Sequence, residues 1–338
     1  MKRYTFWNNK GGTGKTSLCF QCIVRYAELH PDEKILTIDL CPQANLSELL
    51  LGGLVGNGAS RLASLYQNNP RKSIGGYFDN RIISPFTIPS INGSDYICQP
   101  HQYHSSVPDN IDLVSGDSLV EHQVQYMSAI ANQIMPNGIS AYAKVLNWIN
   151  DLINIISDNY DVVFIDCNPS FSIYTQMAIT ASENLIIPVM ADDSSRRALQ
   201  NVLSLIYGYR VPQGYTSNSF NTIANQNSIV LPKIHLILKN RLTQYMGAAS
   251  GYQSVLRSID QEISQAKSAT PQNFTQTSSV GEVRDFQTTG VVAFAEAKSF
   301  STLLQERLTH LINGQNTTLN RQQIQMYVSN IDDIVNRL

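Results

Sequence analysis

The sequence predicts an α/β fold of three layers, with helices on both faces of a mostly parallel sheet. Three observations carry that prediction. Short β-type runs alternate with longer helical patterns, the order expected of parallel βαβ units. Most of those runs are continuously apolar, as strands covered on both faces are. The chain has 338 residues, 43% hydrophobic and 15% charged, enough for one large α/β domain or two small ones with a well-buried core.

The expected strands are Arg3–Trp7, Ile35–Asp39, Ile111–Val114, Val162–Asp166, Leu185–Val189 and Ile234–Leu238. Between them, Lys15–His30 reads as a helix stopped before Pro31. Ala141–Ile156 carries Tyr142, Val145, Ile149, Leu152 and Ile156 at helical spacing, and Ser195–Tyr209 and Tyr252–Ile263 read the same way. Gly52–Asn110, with its many Gly, Asn, Ser and Pro residues, and the Ser/Asn-rich 212–227 break the pattern. Both read as insertions on a single domain spanning 1–338, because neither has the periodic apolar residues for its own core. Ala269–Ser279 is weakly patterned and precedes a last helical segment. In the terminal extension 317–338, Ile324, Tyr327, Val328, Ile331, Ile334, Val335 and Leu338 fall on one helical stripe. Its polar face has Arg321 and Arg337 against Asp332 and Asp333, so packing on the body or a partner is expected rather than a membrane surface.

A formal net charge of −2 gives no global basic field, so nucleic-acid binding would need a local patch made by folding or dimerisation. The start MKRYTFWNN lacks the apolar core of a signal peptide, and no apolar run approaches the ~18 residues that span a bilayer. A cytoplasmic location is the expectation. Cys19, Cys22, Cys41, Cys98 and Cys167 are too few and scattered for a disulfide framework. Cys19 and Cys22 form a CxxC inside an expected helix, with no second pair to complete a zinc site, and read as packing residues.

The stretch WNNKGGTGKTSLCFQ carries the chemistry. A loop that leaves a strand, turns through glycines and opens a helix presents backbone N–H groups and a positive helix end to an anion. Gly11, Gly12 and Gly14 let the backbone approach, Lys15 reaches the β and γ phosphates, and Thr16 offers its hydroxyl to Mg²⁺. Thr13 and Ser17 complete the expected nucleotide-binding set. The first glycine of the usual phosphate-loop pattern is missing, since position 9 is Asn9, but the stricter string K-G-G-x-G-K-[ST] is present. One lysine suffices to hold a phosphate, so Lys10 needs its own explanation.

At these residues the chain resembles the ParA/MinD family of deviant Walker ATPases, closest to partition ATPases of the ParA type that lack a preceding helix-turn-helix. The resemblance implies a three-layer P-loop NTPase fold, ATP and Mg²⁺ as cofactors, and a role for Lys10: reaching across a two-fold interface to the phosphates held by a second subunit. There its charge would meet the negative charge that builds as the β–γ bond breaks. ILTIDLCPQANLSELL resembles the family's D-x-D-P-Q-x-N-L-S, matched at Asp39, Pro42, Gln43, Asn45, Leu46 and Ser47. YDVVFIDCNPSFS resembles the Walker B segment, with Asp166 placed to hold a water on Mg²⁺. AITASENLIIPVMADDSSRRAL resembles the next helix–strand unit, and LILKNRL places Asn240 where relatives read the adenine edge, though a strand-end asparagine is also an ordinary turn residue. Asp39 is implied as a metal-site partner, with capping of the next turn as the plainer reading.

Cys41 departs from the pattern, standing where the family has the second aspartate, which orients the attacking water. A thiol is a weak hydrogen-bond partner and stays neutral near negative charge. Three readings stay open: very slow hydrolysis with a persistent ATP-held dimer, an amide of Gln43 or Asn45 taking over the water, or a binder without useful turnover.

The resemblance implies a cycle. ATP-bound homodimers bind DNA without sequence preference, on the nucleoid, and a ParB-like centromere-binding or adaptor protein releases them by triggering hydrolysis. The DNA-facing cations expected are Arg196, Arg197, Arg210, Arg241, Arg257 and Lys267. The terminus is not basic enough for a membrane regulator, Cys98 and Cys167 lack the glycine-rich surroundings of a shared iron–sulfur cluster, and the 16 tyrosines are too dispersed for a tyrosine-kinase tail. A nucleotide-gated scaffold or regulator that positions a protein cargo, with little or no turnover, is the alternative.

Overall fold

The computed structural model describes residues 1–212, 214–216, 219–242 and 250–338, so residues 213, 217 and 218 of the second expected insertion lie outside the described residues. Eight strands form the central sheet: β1 (Lys2–Phe6), β2 (Ile35–Asp39), β3 (Ile97–Cys98), β4 (Ile111–Val114), β5 (Val162–Asp166), β6 (Asn184–Met190), β7 (Lys233–Leu242) and β8 (Phe274–Arg284). Their order is β3-β4-β2-β5-β1-β6-β7-β8, and among the described residues only β3 runs antiparallel to its neighbour in this sheet.

The two-residue period of the strands explains their apolar runs. In β5, Val163 and Ile165 enter the core on one face while Val162 and Phe164 enter the core on the other. On the Phe164 face lie α1 (Lys15–Leu29), α2 (Asn45–Leu50) and α3 (Gly58–Leu65). The opposite face is covered by α4 (Ile74–Ile83), α5 (Leu119–Ala131), α6 (Ala141–Leu146), α7 (Trp148–Ile156), α8 (Ile173–Thr180), α9 (Asp193–Tyr207), α10 (Phe220–Gln226) and α11 (Ser250–Ala269). The chain then returns to the first face as α12 (Gln287–Glu296), α13 (Phe300–Gln305), the hairpin β9 (Thr309–Ile312) and β10 (Gln315–Thr318), and α14 (Arg321–Val335).

The stretch Gly52–Asn110 has no core of its own: Ile74, Tyr77, Phe78 and Tyr96 are buried in the main core. The weakly patterned Ala269–Ser279 contains the start of a strand, because β8 begins at Phe274 and closes one edge of the sheet before α12. The expected helix Ala141–Ile156 is two helices meeting at Asn147. The α14 stripe packs in cis on α1 and β8, and Arg25 on α1 donates to Asp332 at 2.6 Å. All five cysteines are free and buried. Among the described residues no helix is long and apolar enough to cross a membrane.

Candidate functional site

In open parallel sheets, ligands bind beyond the carboxyl ends of the strands, where the connections diverge to opposite sides. Here β1 lies between β5 and β6 at the sheet centre, and the glycine-rich loop leaves its carboxyl end to enter α1. No side chain caps α1; its N-cap is Gly14 at φ 81°, and Gly12 is at φ 72°, so the turn depends on residues free to adopt the left-handed region. The first N–H groups of α1 therefore point into the loop without a side-chain acceptor.

Lys15 is buried at the start of α1. Burial pulls its ammonium below its ordinary pKa against the opposing charge of Asp166. A buried cation of this kind gains from an arriving polyanion. Thr16 Oγ1 donates to Asp166 Oδ2 at 2.8 Å, while Asp166 Oδ1 is buried with no partner among the described residues. An orphaned carboxylate oxygen beside a threonine hydroxyl fits a hard divalent cation and its waters. Asp39 pairs in register with Asp166 across β2 and β5. Burial raises the pKa of both carboxyls, and for Asp166 the charge of Asp39 adds to the effect.

Asp39 is committed to its own loop. Its Oδ1 accepts from the Cys41 N–H at 2.9 Å, and its Oδ2 accepts from the Ser47 N–H at 2.9 Å and the Ser47 hydroxyl at 2.7 Å. These bonds shape the turn that carries Cys41, Gln43 and Asn45 into α2. The thiol of Cys41 is pushed up to about 12, first by burial and then by Asp39 and Asp166, so it is neutral. Gln43 is exposed, and Asn45 Nδ2 donates to its Oε1 at 3.4 Å. Gly116, after β4, closes the turn from behind: a Cβ there would lie 2.7 Å from the Cys41 carbonyl oxygen.

Asn240 is within β7, two residues before its end, and is buried. Its Nδ2 donates to the Thr13 carbonyl at 2.9 Å, and its Oδ1 accepts from the Arg241 N–H. A Cβ on Gly14, which is also at φ 81°, would come within 2.3 Å of that amide, so the Asn240 side chain and the left-handed backbone both favour glycine at 14. Asn240 and Gly14 line a cavity of about 570 Å³ with Ser17, Phe20, Asn45, Leu49, Arg241, Asp285, Phe286 and Phe294. Its mixture of aromatic walls and a few polar groups suits a small planar ligand.

Lys10 lies outside the phosphate turn, with its ammonium 2.5 Å from Asp192 Oδ2. Asp192 was not expected from the sequence, although an aspartate just before a helical pattern, at a strand-to-helix junction, is a helix N-cap signal. Phe286 carried no such signal.

Four of the six expected DNA-facing cations have partners within the chain. Arg196 and Arg197 both pair with Asp193, Arg210 pairs with Glu262, and Lys267 donates to the Ser278 carbonyl. Arg241 lines the cavity, whereas Arg257 is exposed on α11.

A family model described as an AAA domain matches residues 1–211, more than half of the chain. The chain belongs to the ParA/MinD family of P-loop ATPases. Among curated relatives, the cell division protein PomZ of Myxococcus xanthus is 28% identical over 201 residues, 59% of this chain and 49% of that protein. The chain spans 38% and 62% of the length of the first two curated relatives it matches. Two solved structures share the fold over nearly their whole lengths. The ATP complex of a Cyanothece McdA variant matches with TM-score 0.62 and 14% identity, covering 99% of this chain and 96% of that one. A plasmid partition protein from Borrelia burgdorferi matches with TM-score 0.54 and 14% identity, covering 100% of this chain and 99% of that one.

Proposed function

We propose that the chain is a dimerising ATPase of the ParA type that binds DNA without sequence preference in its ATP state and segregates plasmid or chromosomal DNA. The observation that carries this reading is the pair of lysines around one glycine turn: Lys15 buried behind the loop, and Lys10 held away from it on the surface facing α9. Lys15 and the loop N–H groups hold the β and γ phosphates, and Asn240 with the walls around Phe286 receives the base. Thr16 and Asp166 would hold Mg²⁺, which when bound neutralises charge on the phosphates; Asp39 keeps the neighbouring turn in place. Lys10 serves the phosphates of a second copy, so ATP binding and dimerisation become one event. With a neutral thiol at Cys41, the amides of Gln43 and Asn45 are the groups left to orient water, and intrinsic hydrolysis is slow until a ParB-like or adaptor partner intervenes. The setting is the nucleoid in the cytoplasm.

The test is binding to random-sequence duplex DNA with Mg²⁺–ATP, with ADP and without nucleotide, over a salt titration. Salt-sensitive binding only with ATP is the expected result. A second reading, a nucleotide-gated scaffold that positions a protein cargo, is favoured by the acidic partners of Arg196, Arg197 and Arg210. DNA binding that is absent or indifferent to nucleotide would select it.

A further inference from the structure

Both ends of Lys10 are tied to its own chain. Its N–H donates to Asn8 Oδ1 at 3.0 Å, and Asn8, fully buried, donates through Nδ2 to the Pro188 carbonyl of β6 at 2.6 Å. Its ammonium lies 2.5 Å from Asp192 Oδ2 and 3.2 Å from Ser195 Oγ. This seat is itself fixed. Asp192 caps α9, its Oδ1 accepting from the Ser195 N–H at 2.7 Å and the Ser194 hydroxyl at 2.8 Å. The Ser195 side chain is buried and accepts from the Met190 N–H at 3.0 Å.

In this seat the Lys10 ammonium spends two of its three N–H donors on Asp192 and Ser195 of its own chain, so reaching the phosphates of another chain competes with these contacts. We infer that Asp192 and Ser195 form the resting seat of Lys10, and that Asp192 is a positioning residue setting how readily Lys10 leaves for a second copy. The inference rests on the trans role of Lys10 proposed above. The exchange is reversible, because the Asp192 carboxylate left behind still caps α9 and faces its positive end. Release of the lysine thus reaches the first turn of the helix that carries Arg196 and Arg197.

Asparagine and serine cap helices about as well as aspartate. Asp192→Asn and Asp192→Ser therefore remove the charge and keep the cap. The measurement is the ATP concentration giving half-maximal dimer by sedimentation velocity with Mg²⁺, beside ATP affinity at protein concentrations too low for dimers. The pair is partly exposed, so both variants should lower the dimerisation midpoint by about two- to fivefold. Monomer affinity should stay unchanged and Asp192→Glu should restore the wild-type midpoint. An unchanged or raised midpoint in the variants, with dimerisation abolished by Lys10→Ala, would overturn the seat and leave the trans role standing. Normal dimerisation by Lys10→Ala overturns the trans role and the seat with it.

Discussion

Cys41 joins two carboxylates that burial already penalises. Replacing it with aspartate supplies a water-orienting group, but it also puts a third negative charge beside Asp39 and Asp166, whose pKa values are raised before any metal arrives. Cys41→Asp should therefore speed basal ATP hydrolysis and lower the Tm of the nucleotide-free protein, and the Tm deficit should shrink when Mg²⁺–ATP is added. Steady-state phosphate release and paired thermal melts check both halves. An unchanged rate would mean that an amide already orients the water. At this scale the sequence was informative wherever chemistry is local, as in the glycine turn, Lys15, Thr16 and the strand-end Asp166. It was silent where partners come from afar. Asp192 lies 182 positions from Lys10, and nothing but the fold brings them together. Asp39 was readable as a site residue, yet its three bonds to Cys41 and Ser47 appear only once the turn is built.

Elements were legible in proportion to their burial. The core strands β2, β4 and β5 have the predicted bounds because both faces are apolar. β8 escaped notice because an edge strand alternates weakly; FTQTSSVGEVR buries Phe274, Gly281 and Val283 and leaves the rest exposed or half-buried. β3 has two residues and no pattern to read. The stretch that holds it is nevertheless anchored: His104 lies 3.0 Å through Nε2 from the Ala297 carbonyl, just beyond α12. Burial holds the His104 imidazole below its ordinary pKa of 6.5, with the charges of Arg61 and Lys298 adding to the effect. The unfolded chain then binds the proton more readily than the folded one, so this site's stability contribution is present above pH 6.5 and is lost as pH falls below it. His104→Gln, which can still donate to Ala297, should flatten the fall in urea-unfolding free energy between neutral pH and about pH 5. An identical pH profile would show that the imidazole stays accessible to protons.

Across the whole molecule, the terminal helix reaches the cavity through one aromatic cluster. Tyr327 of α14 meets Phe286 edge-on at 5.2 Å and Phe300 at 5.6 Å, and its hydroxyl donates to the Asp285 carbonyl at 2.8 Å. Phe286 in turn lines the cavity beside Asn240. Tyr327→Ala should cost about 3–5 kcal/mol of stability, by analogy with other large aromatic truncations, and weaken nucleotide binding by loosening Phe286. Tyr327→Phe keeps the packing and loses one hydrogen bond, about 1 kcal/mol, with binding retained. Denaturant titration and calorimetry of nucleotide binding separate the two variants.

The five free cysteines are distributed through α1, the Cys41 turn, β3 and the residue after β5, and all are buried. The native chain therefore carries its own unfolding clock. A chromogenic disulfide reagent in large excess reacts mainly after some region opens, so labelling that outpaces reclosing reports opening rates. Because Cys41 and Cys167 flank the phosphate site while Cys98 sits at the far edge of the sheet, the order of labelling maps which part of the fold a bound nucleotide holds shut. With ATP and Mg²⁺ added, labelling of Cys41 and Cys167 should slow most, and mass spectrometry of the labelled peptides reads it without any engineered probe.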